Sequence, residues 1–247
     1  MDIKSFIDST YLKTAAQAGL DENQNQEVVK TFVNEAIQEG FKLIMIRPEM
    51  ISLARKIVLD TSAKLLIGTV IDFPSGNSTI ETKLEEASQA ITEGADELDF
   101  VCNYEAFING ENDLVKSEIL KGSQLALANN KIIKWIIEVA ALTDKQIIQL
   151  SALIKNVVLT HFSEADYNAV FVKSSTGFYK TANNEPNGAT IQSIIMMLEN
   201  ASPLPVKAAG GVRTYEDAVA MIQLGVKRIG TSSAKEIVNR RHNQNEY

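Results

Sequence analysis

Short apolar runs alternate eight times with longer amphipathic segments along this chain of 247 residues. The apolar runs are rich in Val, Ile and Phe and lack strict alternation, which is typical of parallel strands covered on both faces. The predicted strands are Ser5–Asp8, Lys42–Ile46, Leu65–Ile71, Glu97–Val101, Lys134–Glu138, Ala169–Lys173, Val206–Ala209 and Arg228–Gly230. This order favours an α/β fold, a (β/α)8 TIM barrel formed by a single domain over residues 1–247. A doubly wound sheet is the alternative, but its usual GxGxxG or P-loop motif is missing after the first strand.

Capping signals and a coarse internal repeat mark the boundaries between helices and strands. Boxes of the type Ser/Thr-x-x-Glu/Gln at Ser78, Thr143 and Ser233 predict helix starts, and Thr214 with Asp217 is a weaker version. The segments AIQEGFKLIMI, AITEGADELDF and MIQLGVKRIGT share one order: a helix end, a glycine, a short link and an apolar strand. The glycine suits a helix C-terminus that needs a left-handed residue. One β/α unit is therefore used repeatedly.

Composition and charge argue against several classes of function. The net charge is −7, and no cluster of Lys and Arg offers a surface for nucleic acid. No apolar run approaches the roughly 18 residues that a membrane helix needs, and the N-terminus lacks the pattern of a signal peptide. The single Cys102 and two histidines leave no His/Cys metal cluster, so neither a metal nor another cofactor is expected. We expect a cytoplasmic protein with a polar, mobile tail over residues 239–247.

Charged and hydroxyl side chains follow the predicted strands at the end where a barrel has its active site. They are Asp8, Thr10 and Lys13 at strand 1, Asp99 at strand 4, Glu138 at strand 5, Lys173 at strand 6, Lys207 at strand 7 and Gly230–Ser233 at strand 8. Carboxylates in such positions are more often helix caps or surface ion pairs, and we interpret Asp96 and Glu97 in this way. A lysine after a strand is also more often solvated than buried.

Lys173 is the exception, because it follows Ala-Val-Phe-Val with no turn residue between. Its stem is therefore predicted to lie inside the barrel, where burial would lower the pKa of the amine. Lys207 on the adjacent strand would lower that pKa further by repulsion. A free lysine titrates at ~10.4, whereas a desolvated lysine beside another cation can attack a carbonyl. With Asp99 to shuttle protons or to keep Lys207 charged, the three residues indicate Schiff-base chemistry.

Glycines after the last strands predict an anion site. Gly210 and Gly211 would let the backbone approach a ligand before a helix that begins at Thr214, and Gly230–Ser233 has the same design. Helix N-termini bind phosphate, and barrels often bind it after strands 7 and 8. Gly177, after strand 6, is a third candidate. The alternative is that these glycines only form tight turns; we favour phosphate because both motifs lie on adjacent strands.

With these residues identified, the chain resembles the deoxyribose-phosphate aldolase family from about Phe6 to about Ile237. VKSSTGF, KAAGGVRTYEDA, GADELDFV and IDSTYLK are similar to the family's signature segments and occur in the family's order. The first two together are specific, whereas IDSTYLK alone is weak. The resemblance implies a class I aldolase on a (β/α)8 barrel. Such an enzyme reversibly cleaves 2-deoxy-D-ribose 5-phosphate to D-glyceraldehyde 3-phosphate and acetaldehyde without a metal.

The same resemblance implies roles for individual residues. Lys173 would form the Schiff base, Lys207 would perturb it, and Asp99 would take part in proton transfer. The implied phosphate-binding backbone positions are Gly177, Gly210, Gly211, Gly230, Ser232 and Ser233. The positions near the sugar hydroxyls are Asp8, Thr10 and Thr176.

The chain departs from the family pattern at three positions. Ser9 stands where many members have His, Met45 where Cys is common, and Phe178 where a basic residue is common. The last change removes one potential contact with the substrate, and Lys180 is the candidate to replace it. Some members have a C-terminal tyrosine that reaches the site, and Tyr247 ends this chain.

Two other functions stay open. One is a different Schiff-base barrel aldolase that acts on a longer phosphorylated sugar or a keto acid, and the donor it accepts would identify it. The other is a non-catalytic barrel that binds a phosphorylated ligand, which needs the glycines but not Lys173. Fold alone does not decide among them. The expected partners are small phosphorylated sugars and aldehydes, with neither nucleic acid nor membrane, and a homodimer is possible because barrels often pair.

Overall fold

The computed structural model describes residues 2–182 and 187–239. Eight parallel strands close into a barrel in the order of the sequence. The strands are β1 (Ile7–Tyr11), β2 (Leu43–Ile46), β3 (Leu66–Ile71), β4 (Glu97–Val101), β5 (Ile132–Ile136), β6 (Val170–Lys173), β7 (Val206–Ala209) and β8 (Arg228–Thr231). The predicted fold class, a single-domain (β/α)8 barrel, is confirmed. The predicted tail, with Tyr247, lies outside the described residues except for Asn239.

Helices follow the strands and cover the outside of the barrel. They are α1 (Ala15–Ala18), α2 (Glu22–Glu39), α3 (Ile51–Asp60), α4 (Ile80–Glu93), α5 (Tyr104–Ile108), α6 (Asn112–Ala128), α7 (Asp144–His161), α8 (Ile191–Ala201), α9 (Tyr215–Leu224) and α10 (Ala234–Val238). Short 3-10 helices lie at Ile3–Phe6, Pro48–Met50, Val139–Ala141 and Glu164–Ala169. Among the described residues, no helix combines the length and the apolar character needed to cross a bilayer.

Six of the predicted strands agree with the observed bounds to within one residue, and the first and fifth are shifted. Ser5 and Phe6 belong to a 3-10 helix, so β1 begins only at Ile7 and continues to Tyr11. The fifth strand was predicted to reach Glu138, but β5 pairs with β4 only as far as Ile136. The hydrogen-bonded partner strand sets these ends, and a local apolar pattern does not contain that information.

The capping predictions have mixed outcomes. Thr143 and Thr214 both form complete capping boxes, at the starts of α7 and α9. The box predicted at Ser78 is wrong, because Thr79 caps α4 and the Ser78 hydroxyl instead donates to Asp72 Oδ1 at 2.7 Å. Ser233 precedes α10 but makes no side-chain cap hydrogen bond.

The glycines of the internal repeat end helices as predicted. Gly40, Gly94 and Gly225 have φ angles of 70°, 108° and 115° and lie at the C-terminal ends of α2, α4 and α9. Each N–H donates back to carbonyls of the last helical turn. A side chain would strain this left-handed conformation, so glycine ends the helix at little cost.

The barrel wall separates two environments. Residues such as Ile44, Trp135 and Val172 belong to one large apolar core that includes residues of the surrounding helices. Each such side chain stabilises the fold by about 1.5–3 kcal/mol through burial. Leu43 and Met45, from β2, belong instead to a small separate apolar cluster that also includes residues of β3. The charged side chains described below come from β1 and from β4 to β8.

Candidate active site

Asp99 on β4 is the centre of a buried group of charged side chains. Its Oδ1 lies 2.6 Å from the Lys134 ammonium nitrogen, and its Oδ2 lies 2.8 Å from both Lys173 Nζ and Lys207 Nζ. All four side chains are at most 4% exposed. The structure therefore brings together Lys173, Lys207 and Asp99, the three residues that the sequence analysis grouped, and adds Lys134.

The same group extends around the barrel to β8 and β1. Lys207 Nζ lies 2.6 Å from Asp8 Oδ2, and Arg228 Nε donates to Asp8 Oδ1 at 2.7 Å. The two Arg228 Nη atoms each donate to one oxygen of Glu97 at 3.0 Å, which is a bidentate pair. Glu97 Oε2 also lies 2.6 Å from Lys134 Nζ, so the contacts form a closed network.

Sequence reasoning missed three members of this network. Glu97 was interpreted as a surface carboxylate, but it is 1% exposed. Lys134 and Arg228 were not singled out. One signal was available, because residues two apart in a strand face the same side and Glu97 is two residues before Asp99. Asp96 fits the surface interpretation, since it is partly exposed and pairs with Arg55 at 2.7 Å.

The network holds four basic and three acidic side chains: Lys134, Lys173, Lys207 and Arg228 against Asp8, Glu97 and Asp99. When every group is charged, the network therefore has one more positive than negative charge, and the loss of one proton makes it neutral. Burial, followed by repulsion from Lys207 and Lys134, lowers the pKa of Lys173 from 10.5 to about 8, although Asp99 opposes the shift. Lys173 is thus the amine that most readily gives up its proton.

Asp99 and Lys134 stabilise each other in their charged forms. Burial alone would raise the pKa of Asp99, but Lys134, Lys173 and Lys207 together hold it well below 3.8. Burial would lower the pKa of Lys134, yet Asp99 and then Glu97 raise it above its ordinary value. A lysine that stays protonated beside one that does not is the arrangement that favours an amine nucleophile.

Asp8 and Thr10 lie on β1, beside this network. Asp8 is completely buried, and its carboxylate pairs with Lys207 and Arg228. Thr10 is partly exposed, and its hydroxyl donates to the Asp8 carbonyl oxygen at 2.9 Å. The structure thus gives Asp8 the role of a partner for two cations, and the predicted contact of both residues with sugar hydroxyls stays a prediction.

Thr176, in the loop after β6, is tied to Glu138 after β5. Its backbone N–H donates to Glu138 Oε2 at 3.1 Å, and its hydroxyl donates to the same oxygen. The Thr176 hydroxyl also accepts from Phe178 N at 3.0 Å. Glu138 thereby fixes the loop that directly follows Lys173.

The predicted phosphate-binding glycines lie where two loops meet. Gly177, Gly210 and Gly211 have φ angles of 80°, 78° and 82°, which a residue with a side chain rarely adopts. A Cβ on Gly188 would overlap the Gly210 carbonyl group, and Ala189 N donates to Gly210 O at 2.9 Å. The backbones after β6 and β7 are therefore in direct contact.

A different structural reason explains the glycine at position 230. It lies within β8, and its φ is not positive. A Cβ at this position would lie 3.0 Å from Lys207 Cε and 3.3 Å from the Ala209 Cβ. Gly230 therefore makes room for the stem of Lys207, and its contact with phosphate stays a prediction.

The helix that begins after Thr214 does not offer a free N-terminus. The Thr214 hydroxyl accepts from Asp217 N at 3.1 Å, and Asp217 Oδ2 accepts from Thr214 N at 3.1 Å. Glu216 and Asp217 also place acidic side chains in the first turn of α9. This part of the anion-site prediction stays a prediction, and the cap and these carboxylates compete with a phosphate.

The N–H groups that stay available to an anion lie in the loops. Gly177 N, Gly211 N and Ser232 N donate to no acceptor within residues 2–182 and 187–239. Ser233 N donates to Thr231 Oγ1 at 3.0 Å. The loop after β8 is itself fixed to the loop after β7, since Thr231 Oγ1 donates to Val212 O at 2.8 Å.

The position of Phe178 follows from an aromatic cluster near the β2 and β3 loops. The Phe178 ring meets the Phe73 ring edge-on with centroids 5.0 Å apart, and the Arg47 guanidinium lies 4.9 Å from the Phe73 centroid. Met45, at the position where Cys is common, is completely buried in the same apolar cluster. Lys180 is exposed. These contacts give Phe178 a packing role in place of the basic residue expected there.

Comparison with known proteins agrees with the geometry. Residues 10–238 match the family model described as DeoC/LacD family aldolase. The chain belongs to this family. It is accordingly an aldolase, and the expected enzyme class, a lyase, is confirmed.

Individual relatives cover this aldolase almost from end to end. A deoxyribose-phosphate aldolase from Thermococcus gammatolerans is 38% identical over 96% of both chains. One from Caldicellulosiruptor saccharolyticus is 35% identical over 96% of this chain and 97% of its own. The solved structure of the Aeropyrum pernix deoxyribose phosphate aldolase, which is described as tetrameric, has a TM-score of 0.77 at 28% identity and covers 96% of this chain and 90% of its own.

Proposed function

We propose that this aldolase reversibly cleaves 2-deoxy-D-ribose 5-phosphate to D-glyceraldehyde 3-phosphate and acetaldehyde through a Schiff base on Lys173. The observation that carries the proposal is the environment of Lys173 Nζ, which is buried, lies 2.8 Å from Asp99 Oδ2 and has a pKa lowered to about 8. Relatives named deoxyribose-phosphate aldolase support the choice of substrate.

The reaction begins with attack of the neutral Lys173 amine on the aldehyde of the open-chain sugar. Loss of water gives an iminium, which withdraws electrons more strongly than the carbonyl did. A base removes the proton of the C3 hydroxyl, the C2–C3 bond breaks, and its electron pair forms an enamine. Protonation of the enamine and hydrolysis of the iminium release acetaldehyde.

Lys207 and Asp99 have different roles in these reaction steps. Both oxygens of Asp99 already contact ammonium groups, so its carboxylate holds Lys207 and Lys134 in position and favours the charged form of Lys134. Lys207 repels a proton on Lys173 and can polarise a water that moves protons to and from the substrate. The proton transfer proposed for Asp99 thus passes through the lysines and the water that it orients.

The phosphate of the substrate would bind to backbone N–H groups of the loops after β6, β7 and β8. Gly177, Gly211 and Ser232 supply N–H groups with no acceptor among the described residues. Positive φ at Gly177 and Gly211 lets neighbouring N–H groups point toward one anion. Gly210, Gly230 and Ser233 shape this site through the contacts described above.

Borohydride trapping tests the proposal. The protein is incubated with 2-deoxyribose 5-phosphate, reduced, and digested, and the modified peptide is identified by mass spectrometry. We expect an adduct derived from the substrate or acetaldehyde on Lys173, which is lost in Lys173→Ala and kept in Lys116→Ala, a change at an exposed lysine of α6.

Two outcomes contradict the proposal. An adduct on another lysine would show that the nucleophile is wrong, and a folded wild-type protein without any adduct would exclude the Schiff base. Pyruvate or dihydroxyacetone as the accepted donor would favour the other class of aldolase instead.

The proposal also covers the oligomeric state and the cellular location of the protein. We infer a cytoplasmic homodimer, a state that light scattering coupled to size-exclusion chromatography measures directly. A tetramer, as described for the Aeropyrum pernix relative, would contradict the dimer without affecting the chemistry.

A further inference from the structure

Glu138 occupies a strained position beside the reactive lysine. Its φ of 55° and ψ of 70° lie in the left-handed region, which residues other than glycine rarely adopt. The backbone is fixed on both sides, since Ile137 N donates to Lys173 O at 3.0 Å and Val139 N donates to Ser174 O at 2.9 Å. Strained residues of this kind occur often at functional sites.

The two oxygens of the Glu138 carboxyl group have different surroundings. Oε2 accepts both hydrogen bonds from Thr176. Oε1 and the hydroxyl of Ser175, one residue before Thr176, are both buried and form no hydrogen bond of good geometry among the described residues, although the two groups lie close enough for Ser175 to lower the pKa of Glu138. Buried polar atoms almost always have partners, so these two atoms indicate a place where a polar group of a ligand binds.

Glu138 also differs electrostatically from the other buried carboxyl groups of the site. Asp8, Glu97 and Asp99 are each paired with cations, whereas Glu138 forms no salt bridge within residues 2–182 and 187–239. The ionisable groups that face it are Lys173 on β6 and Tyr104 on α5.

These surroundings favour the protonated form of Glu138. Burial raises the pKa of Glu138, although its hydrogen bonds with Thr176, the charge of Lys173 and the nearby Ser175 hydroxyl oppose the shift. Burial, followed by the charge of Glu138, raises the pKa of Tyr104 to about 12, so the phenol keeps its own proton. Unlike Asp8 and Asp99, whose pKa values are lowered by neighbouring cations, Glu138 has surroundings that favour the protonated form, which is the form that can donate a proton.

We propose that Glu138 is the general acid for the loss of water that forms the iminium on Lys173, an inference that rests on the proposed function. In the carbinolamine, the proton on Oε1 passes to the hydroxyl group, the C–O bond breaks and water leaves. The lone pair of the Lys173 nitrogen forms the C=N bond, and Glu138 becomes a carboxylate. In hydrolysis the same carboxylate takes a proton from the attacking water. Oε2 meanwhile keeps the carboxyl group oriented through Thr176.

Rapid-quench trapping separates this role from a structural one. Iminium formation with acetaldehyde is stopped by borohydride at increasing times in wild type and in Glu138→Gln. The amide retains an oxygen that can accept from Thr176, but it cannot donate an acidic proton. General acids contribute at least about 100-fold to such steps, so we expect the variant to form the adduct about 100-fold more slowly.

Two further variants serve as controls. Thr176→Val removes the hydroxyl contact with Oε2 but keeps the acid, and it should slow adduct formation by less than about tenfold. Glu105→Gln changes an exposed carboxylate on α5 and should leave the rate unchanged. Equal losses in Glu138→Gln and Thr176→Val would show that Glu138 only holds the loop, and this would overturn the inference.

The pH dependence of adduct formation gives a second test, and one part of it needs only the wild-type protein. The acid needs its proton while Lys173 must have lost its own, so wild-type adduct formation should pass through a maximum and fall at alkaline pH. The rate of adduct formation by Glu138→Gln should rise with pH through the Lys173 pKa of about 8 and then stay level. A wild-type profile without the alkaline fall would overturn the inference.

The two proposals fail separately. If wild type forms no adduct at all, the proposed function is wrong and this inference with it. If wild type and Glu138→Gln form the adduct equally fast, the Schiff base stands and only the role of Glu138 is wrong.

Discussion

Two lysines share one carboxylate oxygen at the centre of this barrel. Lys173 Nζ and Lys207 Nζ both lie 2.8 Å from Asp99 Oδ2, so each ammonium raises the cost of protonating the other. The pKa that results for Lys173 depends first on burial and then on the balance between Asp99 and Lys207. The reactivity of a single amine is therefore a property of its neighbours.

Replacing Lys207 by Met should raise the pKa of Lys173. The change removes a positive charge that repels the Lys173 ammonium. It also removes a competitor for Asp99 Oδ2, which then stabilises the Lys173 ammonium more strongly. Acetic anhydride labels only neutral amines, so the labelling of Lys173 as a function of pH reports its pKa. The midpoint should move from about 8 toward its ordinary value of 10.5. An unchanged midpoint, compared with Lys116→Met as control, would remove the argument from repulsion.

Single residues also show why part of the site was visible in the sequence. Lys173 and Lys207 could be predicted because each follows a valine and is followed by small residues and then glycine. Lys134 and Arg228 could not, since each is followed by a large apolar residue and gives no sign of which partner it meets. Their partners lie on other strands, and Arg228 meets Asp8 across 220 positions of sequence.

At the scale of the strands, two glycines show how little space the barrel interior leaves. A Cβ on Gly68, in β3, would lie 2.5 Å from the Met45 methyl carbon, and a Cβ on Gly230, in β8, would lie 3.0 Å from Lys207 Cε. The first glycine borders an apolar cluster and the second borders the charge network. The two positions thus form a matched pair for substitution.

Gly230→Ala should impair catalysis, and Gly68→Ala should chiefly impair stability. Alanine at residue 230 displaces Lys207, and we expect kcat to fall about tenfold, because errors in the position of catalytic groups are costly. Alanine at residue 68 overpacks the apolar cluster, which typically costs about 1–3 kcal/mol. Steady-state kinetics and thermal unfolding of both variants measure the contrast. A Gly230→Ala variant with full activity would show that the stem of Lys207 can move without consequence.

Element types could be predicted more reliably than their ends. The apolar runs and the glycines after helices identify the β/α units, because both signals are local. The end of β5 could not be predicted, since Ile137 and Glu138 continue the pattern of the strand while the backbone already turns left-handed at Glu138. The same error concealed Glu138, which appears as an ordinary strand end in the sequence and as a buried carboxyl group in the structure.

At the scale of the whole molecule, closure of the barrel makes the charge network possible. Asp8 on β1 pairs in register with Gly230 on β8, so the first and last strands are neighbours. Buried charges without partners are expensive, and a change that leaves one of them unpaired usually costs about 3–5 kcal/mol. The network therefore links catalysis to the integrity of the entire fold.

The lowered pKa of Lys173 should make the protein less stable than it would otherwise be. Below pH 8 the amine is protonated in both the folded and the unfolded state, and the full cost of holding the buried ammonium is present. Between about 8 and 10.5 only the unfolded chain keeps the proton, so this cost shrinks as pH rises. Lys173→Met should therefore raise the melting temperature at pH 7, and its advantage should fade toward pH 10.5.

Thermal unfolding of wild type and Lys173→Met across this range measures the effect. Lys235→Met, at an exposed lysine on α10, is the control because its ion pair with Glu35 lies at the surface. A Lys173→Met variant that is less stable than wild type at pH 7 would contradict this prediction. It would show that the contacts of Lys173 stabilise the fold by more than the burial of its ammonium costs.

The loop after β6 is fixed by contacts between its two described parts and the loop after β7. Asn187 Nδ2 donates to the carbonyl oxygens of Gly177 and Tyr179, and Ala189 N donates to that of Gly210. Except for the Asn187 amide, these contacts use backbone atoms, which every residue supplies whatever its side chain. Side chains such as that of Phe178 can therefore change, and the range of substrates with them, while the glycine backbone keeps its place.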